Sequence, residues 1–355
     1  MPDFTSALYL GFGHPSAALR PWAGLTTGTP AALRTPPGST AIARALATLQ
    51  GCDRASLAPS TLHLFWDLFA ILAGPEDEIY VDAVAYPIAR WGVERVAARG
   101  VPTVGFAHRD ARALERLVRR GRRRPLVLVD GLCPDCGKAA PLGAYLEVVQ
   151  RRGGLVVVDD TQALGILGAS PGPGAPYGRG GGGSLRWHGL RSAAVVVASS
   201  LAKGFGVPLA AVAGSSTVIE RFEAESETRS HCSPPSIVAL HAAERALALN
   251  ASNGDGLRAR VAALVGRFRS GLAALGLSAD GERFPVQTLV SDDAQRLHAR
   301  LLEMGVRTVL RDPGRTRRLT FLITARHRPA DVDQALDALD HAARAVVERR
   351  TRSLR

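Results

Sequence analysis

The sequence predicts an α/β fold, with a mainly parallel sheet in a large domain and a small α+β domain at the C-terminus. Between residues 78 and 215, short apolar runs alternate with stretches of helical period, which is the order of βαβ units. The runs, such as PLVLVD and LVVVDD, are continuously apolar rather than alternating. Strands of this kind are covered on both faces, as they are in a parallel sheet with helices on each side.

The elements follow in chain order from periodicity and capping residues. Helices are expected from Thr40 to about Gly51, from Ser60 to about Gly74, and over 87–99, 110–120, 142–152, 234–250, 256–271, 294–304 and 330–347. Strands are expected over 78–82, 101–107, 125–130, 155–160, 193–200, 207–215, 285–290 and 318–323. These elements suggest an N-terminal arm (1–45), a large domain (46–250) and a small C-terminal domain (251–355).

One segment has the composition of a flexible loop. Residues 169–184, ASPGPGAPYGRGGGGS, are rich in glycine and proline and carry no periodic apolar pattern. Both a lid over a site and a loop without a role are compatible with this composition.

Composition and charge exclude several classes of function. The formal charge is +12, but the arginines are spread along the chain without interleaved aromatic residues, so we expect no nucleic-acid partner. No run of 18 apolar residues and no basic-then-apolar N-terminus occurs, so we expect a cytoplasmic protein without a membrane partner. Cys133 and Cys136 form a single CxxC pair with no second ligand cluster, so we expect no metal.

Lys203 is exceptional because nearly every basic residue of this chain is an arginine. Of 44 basic side chains, only Lys138 and Lys203 are lysines. Lys203 lies between two apolar runs, after a pair of serines and before a glycine-rich turn. A lysine supplies what arginine cannot, a primary amine that loses its proton and condenses with a carbonyl. We therefore predict that Lys203 forms a Schiff base.

Asp159 is the second candidate, since it ends a buried strand where a carboxylate is costly without a cationic partner. A protonated pyridine nitrogen is such a partner. Pyridoxal phosphate needs this carboxylate, a lysine, a ring to stack on and a phosphate cradle. Tyr86 offers the ring, and Ser60 and Thr61 at a helix start, with Ser200, offer the cradle. The set predicts pyridoxal 5'-phosphate as the cofactor.

These motifs resemble the α-oxoamine synthase family of fold-type I pyridoxal phosphate enzymes over nearly the whole chain. The matching segments are ALYLGFGHP (7–15), PEDEIYVD (75–82), GLVVVDDTQALGILG (154–168), SSLAKGFGVPLAAVAGSS (199–216) and LTFLITARH (319–327). The resemblance implies condensation of an amino acid with an acyl thioester, carried by coenzyme A or an acyl carrier. It implies a Lys203 aldimine, a quinonoid carbanion, loss of the thiol and usually decarboxylation. It also implies a homodimer with its sites at the subunit interface.

The resemblance also implies roles for individual residues. Lys203 falls at the internal aldimine and Asp159 at the pyridinium partner, and the phosphate contacts fall at Ser60, Thr61, Leu62 and Ser200. Tyr86 replaces the family's stacking histidine, so stacking is kept while a titrating ring is lost. Gln162 replaces the histidine that bonds the cofactor's phenolic oxygen; glutamine can donate that bond but cannot titrate.

On the substrate side, this chain differs from the family in three places. Pro134 stands where the family has a serine, and the glycine- and serine-rich stretch before the first long helix has become residues 28–40. Thr320 stands where the family has the arginine that grips the amino acid's carboxylate, with Arg317 and Arg318 beside it. Threonine cannot form a bidentate clamp, so we expect Thr320 and Arg318 to define an altered substrate contact.

These departures leave other functions open. An aminotransferase, or another aldimine reaction of specialised metabolism, would use the same cofactor-side residues. A non-catalytic partner subunit is disfavoured because the chain keeps both Lys203 and Asp159.

Overall fold

The computed structural model describes residues 1–311 and 317–353, and for 346–353 the backbone alone. The chain divides into two compact units. The large unit comprises Phe12–Cys133 and Ala139–Gly254, and the small unit Met1–Gly11, Pro134–Lys138 and Asp255–Arg355.

A seven-stranded sheet forms the centre of the large unit. Its strands are β1 (Arg54–Ala58), β2 (Asp77–Asp82), β3 (Thr103–Phe106), β4 (Arg124–Asp130), β5 (Leu155–Asp159), β6 (Val195–Ser200) and β7 (Ala210–Gly214). The spatial order is β1-β7-β6-β5-β4-β2-β3. The five strands from β6 to β3 are parallel, and β7 runs antiparallel to both of its neighbours. The prediction of a mainly parallel sheet is confirmed.

Helices cover both faces of this sheet. They are α1 (Ser39–Gln50), α2 (Thr61–Leu72), α3 (Pro87–Ala97), α4 (Ala111–Arg120), α5 (Leu142–Gln150), α6 (Ser184–Trp187), α7 (Ser216–Glu225) and α8 (Glu227–His231). In β4, Leu126 and Leu128 pack into one apolar cluster with α2 and α3, while Val127 and Val129 pack into a second with α4 and α5. Alternate side chains thus serve opposite layers, which explains why the strand is apolar throughout.

The small unit contains a three-stranded antiparallel sheet of order β8-β10-β9. Its strands are β8 (Val286–Val290), β9 (Val309–Arg311) and β10 (Arg318–Leu322), and its helices include α10 (Ala294–Glu303) and α11 (Pro329–Ser353). In the central strand, Thr320 lies opposite Thr288 on one side and Val309 on the other.

The prediction of separate helices over 234–250 and 256–271 is wrong, because α9 (Ile237–Ala274) runs unbroken for 38 residues. The sequence NASNGDG at its middle costs helix propensity, about 1 kcal/mol for each glycine. Tertiary contacts offset that cost: the Asn250 side chain donates to the Gly180 carbonyl at 2.9 Å, and the apolar side chains of Val261 and Phe268 are fully buried.

Residues 169–184 form a packed hairpin rather than an unstructured loop. Ala169 bridges Arg179, and Gly172 bridges Ala175. Gly178 has a positive φ of 69°, and a Cβ there would lie 2.1 Å from the Gly168 carbonyl oxygen. The glycines therefore allow close backbone packing at this position.

In the described ranges, no helix combines the length and hydropathy needed to cross a bilayer.

Candidate active site

The carboxyl ends of the central strands gather the acidic side chains of the large unit. Asp82, Asp130 and Asp159 end β2, β4 and β5, which are neighbours in the sheet. Asp130 lies directly opposite Asp159, and Asp159 lies opposite Ala198 of β6. Ligands of open parallel sheets bind at this edge, beyond the strand ends.

Lys203 enters this edge from the turn after β6. Its Nζ lies 5.6 Å from the centroid of the Tyr86 ring. The next residue, Gly204, packs so closely that a Cβ would lie 2.4 Å from the Leu164 carbonyl oxygen. The glycine-rich turn is thus required by the close approach of the 164–165 backbone, and it holds Lys203 at the strand ends.

Tyr86 is placed by the same acidic cluster. Its backbone N–H donates to Asp130 Oδ1 at 3.1 Å, at the start of α3. The side chain is 44% exposed, which is unusual for a large aromatic residue in contact with a lysine. An exposed ring face at the strand ends offers a planar ligand a surface to stack on.

Asp159 is buried, and Thr161 N–H donates to its Oδ1 at 3.0 Å. Burial raises the pKa of Asp159, while the hydrogen bonds from Thr161 and the positive charge of Lys203 lower it. Burial raises the pKa of Asp130 well above its ordinary value, and the charge of Asp159 adds to that rise. A buried and a half-buried carboxyl group therefore share the charge of one lysine, and a further cation at this edge would stabilise the ionised form of Asp159.

The start of α2 forms an anion site beside β1. Ser60 is the N-cap residue, but its side chain makes no capping bond; its Oγ lies 2.8 Å from His63 Nδ1 instead. The first N–H groups of the helix, at Thr61 and Leu62, are left without a capping side chain. An uncapped helix N-terminus attracts phosphate through these donors and the helix dipole.

Ser200 and Gln162 lie on the segments that follow β6 and β5. Ser200 N–H donates to Thr161 Oγ1 at 3.0 Å, and Ser200 Oγ accepts from Ala202 N–H at 3.2 Å. Gln162 is 9% exposed. Thr161 thus bonds both Asp159 and Ser200, a linking role that the sequence alone did not indicate.

The donor set fits pyridoxal phosphate. An amine, an aromatic face and a buried carboxylate lie at one sheet edge, in a unit that also holds an uncapped helix N-terminus. These are the groups that the aldehyde, ring, pyridine nitrogen and phosphate of the cofactor require. The roles of the individual residues stay predictions.

The two candidate substrate residues lie on β10 of the small unit. Thr320 is 1% exposed, and its Oγ1 lies 2.9 Å from Thr288 Oγ1. Arg318 Nη1 lies 3.6 Å from Asp135 Oδ2, and Arg311 Nη2 lies 2.7 Å from Asp135 Oδ1. That Thr320 and Arg318 contact substrate stays a prediction.

Two further polar pairs in the large unit were not expected from the sequence. Asp82 Oδ1 lies 2.8 Å from His108 Nδ1, and Asp160, next to Asp159, accepts from Ser184 N–H at 2.9 Å. A His108 ring nitrogen and Cys133 Sγ lie within 4.8 Å of one another. That the chain binds no metal stays a prediction. Contacts of this kind join residues far apart in sequence, so no local sequence pattern predicts them.

The fold and these strand-end groups define a pyridoxal phosphate enzyme of fold type I. Residues 28–339 match the family described as Aminotransferase class I and II. The chain is 30% identical to 8-amino-7-oxononanoate synthase of Pseudescherichia vulneris, over 95% of this chain and 88% of that protein. It is 33% identical to the synthase of the same name from Marinobacter nauticus, over 77% and 68% respectively.

A solved structure shows the same fold at lower identity. Serine palmitoyltransferase from S. paucimobilis, with a bound pyridoxal phosphate–myriocin adduct, superposes with a TM-score of 0.84 at 20% identity, covering 97% of this chain and 87% of that one. The chain belongs to the class I and II aminotransferase family, and within it to the α-oxoamine synthase-like enzymes that depend on pyridoxal phosphate.

Proposed function

We propose that this enzyme joins an amino acid to an acyl thioester, with a new carbon–carbon bond and release of the thiol. The observation that carries the proposal is the strand-end cluster, in which the Lys203 amine lies over Tyr86 and its charge lowers the pKa of buried Asp159. The relatives named 8-amino-7-oxononanoate synthase support the condensation as the reaction class.

Each cofactor-side residue has a task in this proposal. When bound, pyridoxal phosphate supplies an aldehyde that condenses with amines and a ring that accepts an electron pair. Asp159 would hold the ring nitrogen protonated, Tyr86 would stack on the ring, and Gln162 would donate to the phenolic oxygen. Ser200 and the α2 N-terminus at Ser60, Thr61 and Leu62, where no capping side chain competes, would hold the phosphate.

Lys203 has two successive tasks. Its Nζ would hold the cofactor, and the same amine would accept the proton from the α-carbon of the amino substrate. A neutral amine is needed for both tasks. Burial and the charge of Asp159 raise the pKa of Asp130, and the charge of Lys203 lowers it.

Residues away from the strand ends select the amino substrate and the acyl group. Thr320 makes no bidentate carboxylate clamp, so we infer that Arg318 binds the substrate carboxylate in its place, or that the amino substrate has none. The acyl group is carried by coenzyme A or an acyl carrier, whose phosphates suit a chain of formal charge +12. The enzyme acts as a homodimer in the cytoplasm.

Transamination is the second candidate. The family match carries the description Aminotransferase class I and II, and the departures at Pro134 and Thr320 fall on the substrate side. The same Lys203 and Asp159 would serve that reaction, so the cofactor-side residues do not separate the two.

Product analysis separates them. The protein is loaded with pyridoxal phosphate and incubated with a panel of amino acids, each with and without acyl-coenzyme A. Thiol release that requires both substrates, with the acylated amino product found by mass spectrometry, supports condensation. Conversion of the cofactor to its amine form without thiol release would replace it with transamination, and Lys203→Ala controls for uncatalysed thioester hydrolysis.

A further inference from the structure

Thr161 contacts two residues of the strand-end site but has no task of its own in the proposed function. It follows Asp159, the last residue of β5, by two positions. Its backbone N–H donates to Asp159 Oδ1 at 3.0 Å, and its hydroxyl forms a second hydrogen bond to the same side chain. Both hydrogen-bond donors of Thr161 therefore act on the Asp159 carboxylate.

Ser200 fixes the direction in which the Thr161 hydroxyl donates. The backbone N–H of Ser200, at the end of β6, donates to Thr161 Oγ1 at 3.0 Å. A hydroxyl donates one hydrogen and accepts through its lone pairs, whereas an ionised carboxylate only accepts. Since Oγ1 accepts from Ser200, its own hydrogen is directed to Asp159. Hydrogen bonds that follow one another in this way polarise and strengthen each other.

Burial gives these hydrogen bonds their importance at Asp159. The residue is 5% exposed, and burial raises its pKa, which favours the neutral carboxyl group. The hydrogen bonds from Thr161 lower that pKa, and the positive charge of Lys203 lowers it to a smaller extent. Thr161 therefore contributes more than Lys203 to keeping the Asp159 carboxylate ionised.

The same pair of bonds occurs in the small unit at Asp3 and Thr5, where the aspartate is exposed. Thr5 N–H donates to Asp3 Oδ1 at 3.0 Å, and Thr5 Oγ1 donates to the same oxygen at 2.6 Å. The pKa of Asp3 is lowered, with the Thr5 hydroxyl as the largest cause. A threonine two residues after an aspartate thus favours the ionised carboxylate, and Asp3 with Thr5 provides a matched control.

We propose that Thr161 is a positioning residue that keeps the Asp159 carboxylate ionised and fixed in place for the ring nitrogen of the cofactor. The inference rests on the proposed function only where Asp159 is paired with that nitrogen, so it holds equally for condensation and for transamination. The bond to Ser200 also ties the carboxylate to β6, the strand that leads to Lys203.

The test compares two cofactors that differ at the ring nitrogen alone. In 1-deazapyridoxal 5'-phosphate a carbon replaces this nitrogen, so the aldehyde and phosphate remain but no cation forms opposite Asp159. The Kd of each cofactor is measured by absorbance titration of the cofactor-depleted full chain. We expect the wild type to bind pyridoxal phosphate at least about tenfold more tightly than the analogue, because a charge-assisted hydrogen bond is gained.

Thr161→Val removes the hydroxyl at nearly constant volume. It should reduce this preference at least about fivefold while changing the Kd of the analogue less than about twofold, because only the nitrogen contact depends on the charge of Asp159. Thr161→Ala should give the same loss, and Thr161→Ser, which keeps the hydroxyl, should retain the preference. Equal weakening of both cofactors by Thr161→Val would show a purely structural role and overturn the proposal.

Two further variants separate this inference from the assignment of Asp159. Asp159→Asn should abolish the preference, and Thr161→Val added to it should change nothing further. Thr5→Val removes the matching hydroxyl at Asp3 and should leave the preference as in the wild type. An unchanged preference in Asp159→Asn would overturn the pairing of Asp159 with the ring nitrogen. A preference lost in Asp159→Asn but kept in Thr161→Val would overturn the role of Thr161 alone.

Discussion

The strand ends of the large unit and the small sheet of β8, β9 and β10 carry the two halves of the predicted chemistry, and their polar groups differ. At the strand ends, Asp159 is buried and Asp130 is half-buried, and burial raises the pKa of both, so a ligand cation there would favour their ionised forms. In the small sheet, Thr320 Oγ1 is already bonded to Thr288. The strand ends thus have carboxyl groups that a ligand cation could bind, whereas the Thr320 hydroxyl of the small sheet already has a protein partner.

This difference indicates which part of the family's chemistry this chain retains. At the strand ends, burial raises the pKa of Asp159 while the charge of Lys203 lowers it, so a further cation would stabilise its ionised form. The position where relatives are expected to grip a carboxylate holds a buried threonine that needs no ligand. We infer that the cofactor chemistry is retained while substrate choice has changed.

Replacing Lys203 is the largest perturbation of the strand-end region. Lys203→Ala removes both the amine that bonds the cofactor and the base for the α-proton, so turnover should fall by at least about 10³-fold. Borohydride reduction followed by peptide mapping should label Lys203 in the wild type and nothing in the variant. Lys138→Ala is the matched control, because it removes the other lysine, which lies 3.6 Å from Glu282. Label found at Lys138 would refute the assignment.

Asp159→Asn removes the negative charge without changing the side chain's size. Since the amide cannot hold a ring nitrogen protonated, we expect turnover to fall by about 10²–10³-fold with the cofactor still bound. Asp130→Asn should change turnover less than about threefold, because the amide oxygen can still accept the hydrogen bond from Tyr86 N–H. Equal losses in the two variants would show that the pair acts as a unit.

Asp160 is a carboxylate of the same region that serves the fold. Burial raises its pKa from 3.8 to about 6, against the hydrogen bonds from Ser184. Between these pH values the native state holds a proton that the unfolded chain has lost, so stability falls as pH rises through the window. The shift corresponds to about 3 kcal/mol once both states are ionised.

Asp160→Asn should therefore flatten the pH dependence. Urea unfolding of wild type and variant at several pH values from 4 to 7 measures the difference in unfolding free energy. We expect that difference to move in favour of the variant by about 2–3 kcal/mol as pH rises, on top of a constant loss from the altered Ser184 bond. A difference that does not change with pH would show that Asp160 is ionised in the native state throughout.

The sequence predicted the parts of the fold whose signals are local. Continuous apolar runs identified β4, β5 and β6, since each of these strands packs against helices on both faces. Strand β1 escaped prediction because RASLA is short, and its pairing with β7 depends on residues more than 150 positions away. The unbroken α9 was missed because burial of apolar side chains on both sides of NASNGDG, such as Ala246 and Val261, overrides the weak helix propensity of that stretch.

The candidate site divides in the same way. Lys203 and Asp159 were predictable, because a rare residue type and a charge at the end of an apolar strand are visible in the sequence. Two hydrogen bonds depend on which strands pair and in which register, namely Thr161 with Ser200 and Thr320 with Thr288. The sequence around each residue does not identify its partner strand. Residue types were therefore easier to predict than the partners that restrict them.

The smallest expected effects decide whether the small sheet takes part in substrate binding. Arg318 Nε and Nη1 are buried without hydrogen bonds in the described chain, although Asp135 lies 3.6 Å from Nη1. If Arg318 binds the substrate carboxylate, Arg318→Gln should raise the KM for the amino substrate about tenfold and leave kcat nearly unchanged, because a charge-assisted bond is lost in the bound state.

Thr320→Val is the matched test in the same strand. It removes the hydroxyl bonded to Thr288 at nearly constant volume, so it should lower stability by about 1 kcal/mol and leave KM unchanged. Arg317→Gln controls for charge, since the exposed Arg317 side chain donates to Gln295 at 2.7 Å. If Thr320→Val raises the KM while Arg318→Gln does not, the threonine itself contacts the substrate. The contrast between the two regions would then fail, because the Thr320 hydroxyl would be shared with a ligand rather than satisfied by Thr288.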